Sequence, residues 1–204
     1  MGNALCLFFD SSVTVDNRAQ NGRSTRTFMS ENRWQPVVND LQEGDYVFIQ
    51  FGHNDEVNTK ASYTTEAEFK NNLLKYVADT KSKNALPVLL TPVARRKFNA
   101  IDQIEGTHEV YAEIVRTTAR ELGVPLIDLD RKSQALLQSF GPENSKLLFL
   151  QLKPGEHPNY PEGKDDNTHF NELGARLVAE IVLAEVKTLK LELAERIVQP
   201  ATKK

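Results

Sequence analysis

The sequence predicts an α/β fold built on a parallel sheet covered on both faces by helices. Three observations predict it. Short apolar, β-branched runs alternate with segments of helical period along the chain. Two of those runs carry a lone proline near their start, Pro87 and Pro125, where a missing N–H is tolerated. The 204 residues, 40% hydrophobic and 26% charged, suffice to bury one core without staples.

The elements follow in order. The apolar start, Leu5 to Phe9, has no Lys or Arg before it, so it does not read as a secretory signal. Val13-Thr14-Val15 is the first expected strand. A helix capped by Ser30 runs through Trp34, Val37, Val38 and Leu41, and Gly44 ends it. Asp45–Phe51 is a buried strand. Glu66 to Lys81 puts Phe69, Leu73, Leu74 and Val77 on one helical face. Leu86–Leu90 is the third strand. Val110, Ile114, Val115, Ala119 and Leu122 mark a helix that Gly123 ends, and Val124–Ile127 is the fourth strand. The loop from Gln151 to Asp165, with prolines at 154, 158 and 161, reads as a long ordered wall of a cleft. Leu173, Leu177, Val178, Ile181, Val182 and Val186 form a last amphipathic helix. The whole, 1–204, is one expected domain, with 190–204 as a frayed tail.

Bulk properties exclude several function classes. A net charge of -3 favours neither nucleic acid nor a membrane surface. No apolar run approaches the roughly 18 residues of a membrane span. The single cysteine, Cys6, excludes an internal disulfide. Trp34 is expected in the core, His108 and His157 at the surface.

In open parallel sheets ligands bind beyond the carboxyl ends of the strands. That selects the segments after Val15, Phe51 and Leu90. In the first, Gly22 lets a backbone N–H approach a ligand, or simply makes a tight turn. In the second, Gly52-His53-Asn54-Asp55 offers the Asn54 amide as a donor to charge developing on a carbonyl oxygen, or is a plain turn. Near the C-terminus, Asp166-Asn167-Thr168-His169 pairs a proton acceptor with a carboxylate able to hold its tautomer; Asp166 is alternatively a helix cap.

Taken in order, these stretches resemble the SGNH/GDSL hydrolase superfamily, and within it the rhamnogalacturonan acetylesterase branch. The resemblance is carried by Asn17–Ser24, Gly44–Asp55, Thr91-Pro92-Val93-Ala94-Arg95-Arg96 and Asp166–Phe170. It implies the SGNH hydrolase fold, a flavodoxin-like three-layer α/β/α arrangement. It implies a serine esterase acting on acetylated oligo- or polysaccharide of the pectic kind, with no metal, zinc or nucleotide required. His169 would be the general base and Asp166 its orienting partner. Gly22, through its N–H, and Asn54, through its side chain, would be oxyanion-hole donors. Arg95 and Arg96, at a strand's carboxyl end, are candidates to bind uronate carboxylates, as are Arg23, Arg26 and Arg33; all five are alternatively ordinary surface charge. His53 either lines the cleft or orders its turn. The family is usually secreted or periplasmic.

One departure matters. The family's nucleophile is the serine of a Gly-Asp-Ser motif ending its first strand, and that tripeptide is absent here. Asp10-Ser11-Ser12 is the nearest stretch. Only these residues separate Leu5–Phe9 from Val13–Val15, too few for the crossover that parallel neighbours need. The first strand and its serine are therefore expected upstream. Without that strand, exposed sheet edges would favour self-association. Two alternatives remain: a non-catalytic carbohydrate-binding remnant, and a lipase or thioesterase of the same superfamily.

Overall fold

The computed structural model describes residues 2–198, with side chains from residue 4 onward. A short helix α1 (Gly2–Leu5) passes into a 3-10 turn, Cys6–Phe8. Then come α2 (Thr25–Ser30), α3 (Trp34–Asp40), β1 (Tyr46–Gln50), α4 (Glu66–Lys81), β2 (Leu86–Leu90), α5 (Glu109–Leu122), β3 (Leu126–Ile127) and α6 (Leu129–Asn144). They are followed by β4 (Phe149–Leu152), β5 (Lys164–Phe170), α7 (Glu172–Thr188) and a 3-10 turn, Glu192–Arg196. The chain divides into two compact units. One gathers the residues up to Asn17, Arg95–Glu105 and those from Ser133 onward; the other holds Arg18–Ala94 and Gly106–Lys132.

The second unit carries the parallel sheet, in the order β1-β2-β3. Tyr46 pairs with Leu86 at one end, and Leu90 pairs with Ile127 at the other. Helices α2 to α5 supply Phe28, Trp34, Phe69, Leu73, Tyr76 and Val115 to a core that also takes Ile49 and Leu89 from the sheet. The alternate residues Val88, Leu90 and Ile127 point the other way and are also fully buried. Burial on both faces is what a parallel sheet requires, and it explains the near-continuous apolar runs. The helix at 66–81 starts where a capping box forms: the Thr65 hydroxyl accepts from the Glu68 N–H, and the Glu68 carboxylate accepts from the Thr65 N–H.

The first unit centres on α7, which buries Val178, Val182 and Val186. Beside it in sequence, β4 and β5 form an antiparallel hairpin with Gln151 opposite Asp165 and Leu152 opposite Lys164. Phe149 and Phe170 pack at its base, ring centroids 4.7 Å apart.

Several expectations are corrected. Val13–Val15 is not a strand: it runs without a ladder partner and stays half-buried or exposed. A parallel strand needs a neighbouring edge to bond, and β-branched sequence alone does not supply one. The sheet among the described residues is therefore three-stranded, smaller than a full flavodoxin-like sheet. Ser30 ends α2 rather than capping α3, whose N-cap is Arg33 and which stops at Leu41, before Gly44. The loop expected at 151–165 is present as a run of turns over 153–163, and only its ends, 151–152 and 164–165, belong to the strands of the hairpin. Of the tail expected to fray, 192–196 forms the 3-10 turn and Ile197, nearly buried, bridges to Phe9; residues 199–204 lie outside the described residues.

Candidate active site

Asp166 and His169 both lie in β5, not at the start of the following helix, whose N-cap is Asn171. The strand is bent there. Asp166 Oδ1 accepts from the backbone N–H groups of Thr168 and His169, each at 2.8 Å. This Asx-type turn brings the imidazole back over the carboxylate, and His169 Nδ1 sits 2.8 Å from Asp166 Oδ2. Burial pushes the Asp166 carboxyl up, but the hydrogen bonds from the His169 N–H, the His169 ring and the Thr168 N–H outweigh it and hold the group below its ordinary range. An ionised Asp166 keeps the proton on Nδ1, leaving the Nε2 lone pair free to take a proton. The histidine side chain is 63% exposed, the aspartate 12%. Among the described residues, Asp166 is the ring's hydrogen-bond partner.

Gly22 and Asn54 lie on two turns of the other unit, and these turns are tied together. Gly22 has φ +76, open to glycine, and sits exposed in a tight turn. Asn54 donates from Nδ2 to the Arg23 carbonyl at 3.4 Å. Gly52, at φ +127, lets the chain pass Pro92, whose ring lies 3.0 Å from where a Cβ would stand. A residue without an assigned task in the sequence makes the strongest tie. The Asp55 carboxylate, fully buried, accepts from Thr25 N at 2.9 Å, from Thr25 Oγ1 at 2.5 Å and from Gly52 N at 3.1 Å. Burial raises its pKa, with those hydrogen bonds opposing. Tyr76 and Asn72 complete the ring of contacts around Thr25.

With this geometry in hand, comparison with known proteins is decisive: residues 5–177 match the GDSL-like Lipase/Acylhydrolase family. The chain belongs to this family. It is therefore, by family, a serine esterase. It is 42% identical to "Rhamnogalacturonan acetylesterase RhgT" of Bacillus subtilis (strain 168), over 97% of this chain and 84% of that protein. It is 35% identical to "Probable rhamnogalacturonan acetylesterase YesY" of the same organism, over 92% of this chain and 82% of that protein. The crystal structure of the protein YxiM from Bacillus subtilis superposes with a TM-score of 0.79 at 28% identity, over 93% of this chain; the chain spans half of that one, 50%.

The other candidates divide within this GDSL-like chain. Arg96 is engaged internally: Nε donates to Ser145 Oγ at 3.0 Å, Nη1 to Asn167 Oδ1 at 2.8 Å and Nη2 to the Pro142 carbonyl. Its backbone N–H donates to the Asn167 carbonyl at 2.9 Å, so it anchors the strand that carries the Asp–His pair. Arg95 is half-buried. Arg23 and Arg33 both pair with Glu31, and Arg26 donates to the carbonyls of Ala61 and Tyr63. His53 is half-buried with its ring 4.3 Å from that of His108. His108 corrects a surface expectation: it is 1% exposed, and its Nδ1 sits 2.9 Å from Glu56. The two are 52 positions apart, so no local pattern could have announced the pair. Trp34 is in the core, its Nε1–H donating to Asp79 at 2.8 Å.

The serines near these turns have other tasks. Ser24 is buried and caps α2. Ser12 Oγ donates to Asp10 Oδ1 at 2.5 Å, and Ser11 is exposed in a turn. Among the described residues no helix is long and apolar enough to cross a membrane.

Proposed function

We propose that this chain is a carbohydrate O-acetyl esterase acting on acetylated pectic polysaccharide such as rhamnogalacturonan. The hydrogen-bonded Asp166–His169 pair, with its imidazole largely exposed, is the observation that carries it. The identity to relatives named for rhamnogalacturonan deacetylation supports the substrate. In this reading a serine hydroxyl attacks the acetyl carbonyl while His169 Nε2 takes its proton. Asp166 stabilises the resulting imidazolium, and Gly22 N–H and Asn54 Nδ2 donate to the oxyanion. The imidazolium gives that proton to the sugar oxygen as the ester C–O bond breaks, so the sugar leaves as a hydroxyl and the acetyl group stays on the serine. Water, deprotonated by the same histidine, then releases acetate. No step calls on a metal or organic cofactor. Secretion or a periplasmic location belongs to the same reading, as does self-association through β1 or β3, the edge strands of the sheet.

The second reading is a carbohydrate-binding protein of this fold without turnover. Acetate release from acetylated rhamnogalacturonan and from p-nitrophenyl acetate separates the two. Measured in a chain that carries the Gly-Asp-Ser serine, the esterase reading expects release that falls at least about a thousandfold in His169→Ala. Release indifferent to that substitution overturns it. Binding of the acetylated oligosaccharide without release establishes the second reading instead.

A further inference from the structure

A second carboxylate–imidazole pair lies in the unit that holds the sheet, and it differs from the Asp166–His169 pair in being buried. The His108 side chain is 0% exposed, and its Nδ1 stands 2.9 Å from each carboxylate oxygen of Glu56. A carboxylate accepts, so Nδ1 carries the ring proton and Nε2 keeps its lone pair. That Nε2 is buried and has no hydrogen-bond partner among the described residues. A phenyl ring of similar size would fill the same space without burying an unpaired polar atom. Core packing therefore does not explain a histidine at this position; the bond to Glu56 does.

His108 is the N-cap residue of α5, yet its side chain makes no capping bond to that helix. It reaches instead to the turn that carries Asn54 and meets it on both sides of that residue. The His53 ring lies edge-on, centroids 4.3 Å apart, and Glu56 is bonded to Nδ1. The Glu56 N–H donates to the Gly52 carbonyl at 3.1 Å, which closes the turn around Asn54. Further along the same helix, the Tyr111 hydroxyl donates to the Thr64 carbonyl at 2.6 Å, and the Thr64 N–H donates to the Asp55 carbonyl at 2.9 Å. Asp55 thus ties the turn to Thr25 on α2, and His108 ties it to the start of α5. A single anchor leaves a turn free to rotate about it. Two anchors on different helices remove that freedom.

We propose that His108 is a positioning residue for Asn54, holding the Nδ2 donor, through Glu56 and His53, where an oxyanion would form. This rests on the reading of Asn54 as an oxyanion-hole donor. Such a donor must be in place before charge develops, and a misplacement of about 1 Å can cost about a hundredfold in rate.

Substitutions at 108 separate the bond from the volume. Asparagine puts its Nδ2 near where the imidazole has Nδ1 and loses the rest of the ring; phenylalanine keeps the ring and loses the donor. The Asn54 side-chain amide and the backbone amides of 53–56 are followed by nitrogen–proton correlation NMR in this chain, beside urea midpoints. His108→Phe is expected to move those signals and His108→Asn to keep them, although the asparagine variant, with a void in the core, is the less stable. Signals that stay in place in His108→Phe, or move equally in both variants, overturn the proposal. Glu56→Ala removes the other end of the bond and is expected to move the same signals. Combined with His108→Phe it should move them no further; a displacement equal to the sum of the two overturns the shared route. In a chain that carries the Gly-Asp-Ser serine, His108→Phe is expected to lower kcat for p-nitrophenyl acetate roughly tenfold with KM unchanged, because an oxyanion donor acts in the transition state. An unchanged kcat, whatever KM does, overturns the proposal. Displaced Asn54 signals in a protein releasing no acetate would retain the hold of His108 on Asn54 while rejecting the esterase.

Discussion

The turns that hold Gly22 and Asn54 and the hairpin that holds Asp166 and His169 are built by opposite means. The turns are fixed from beneath by a buried charge: Asp55, inaccessible to solvent, gathers donors from Thr25 and Gly52. Around it sit large apolar residues such as Phe69 and Tyr76. The hairpin is polar along most of its length, reading Lys-Asp-Asp-Asn-Thr-His-Phe through β5, and is largely held by hydrogen bonds at its surface. The difference suits the tasks proposed for each. Donors to an oxyanion gain from being immobile before charge develops, whereas a base that passes a proton between two oxygens needs its ring in solvent reach.

That contrast breaks first, if it breaks, at Asp55. Asp55→Ala leaves the Thr25 N–H, the Thr25 hydroxyl and the Gly52 N–H without an acceptor, and is expected to lower stability by about 3 kcal/mol. A urea melt measures it; a loss below about 1 kcal/mol would show that the turns hold themselves. Next in size is Arg96→Ala. It removes the contacts to Ser145, Asn167 and Pro142, with an expected cost of about 2 kcal/mol. Its sharper signature is faster amide hydrogen exchange confined to 164–170, because the opening is local. Exchange that rises throughout the chain instead would make Arg96 a general structural prop.

The same contrast explains what could be read from sequence. Helices α4 and α5 and strands β1 and β2 were legible because each buries an apolar stripe or run, so Phe69, Leu73 and Val77, or Val88 to Leu90, mark them. The Asp-x-x-His spacing showed the pair itself, because the contact is local. Its setting in a strand was hidden: β5 is half-exposed and has no apolar alternation to reveal it. Helix α6 was missed as well, broken near its end at Gly141-Pro142. Val13–Val15 misled in the other direction, since strand propensity is realised only where an edge is present to pair with. Asp55 stood in the motif, yet nothing local distinguishes a buried bridging carboxylate from a turn residue; its partner Thr25 is 30 positions away.

The smallest effect sharpens the comparison through its sign. The Asp166 carboxyl is held below the ordinary aspartate value of about 3.9, and Asp55 is raised above it. For Asp166 the unfolded chain binds the proton more readily. Its contribution is therefore complete above the unfolded value and disappears as pH falls through the folded one. For Asp55 the folded chain binds the proton more readily, so stability declines as pH rises from the unfolded value through the folded one. Urea midpoints taken from about pH 3 to 6 should then change slope in opposite ways. Asp166→Asn should flatten the acid limb, where stability rises with pH. Asp55→Asn should flatten the limb above it, where stability falls. If both substitutions alter the same limb with the same sign, the two carboxylates share one kind of environment, and the distinction between a buried clamp and a surface hairpin no longer holds.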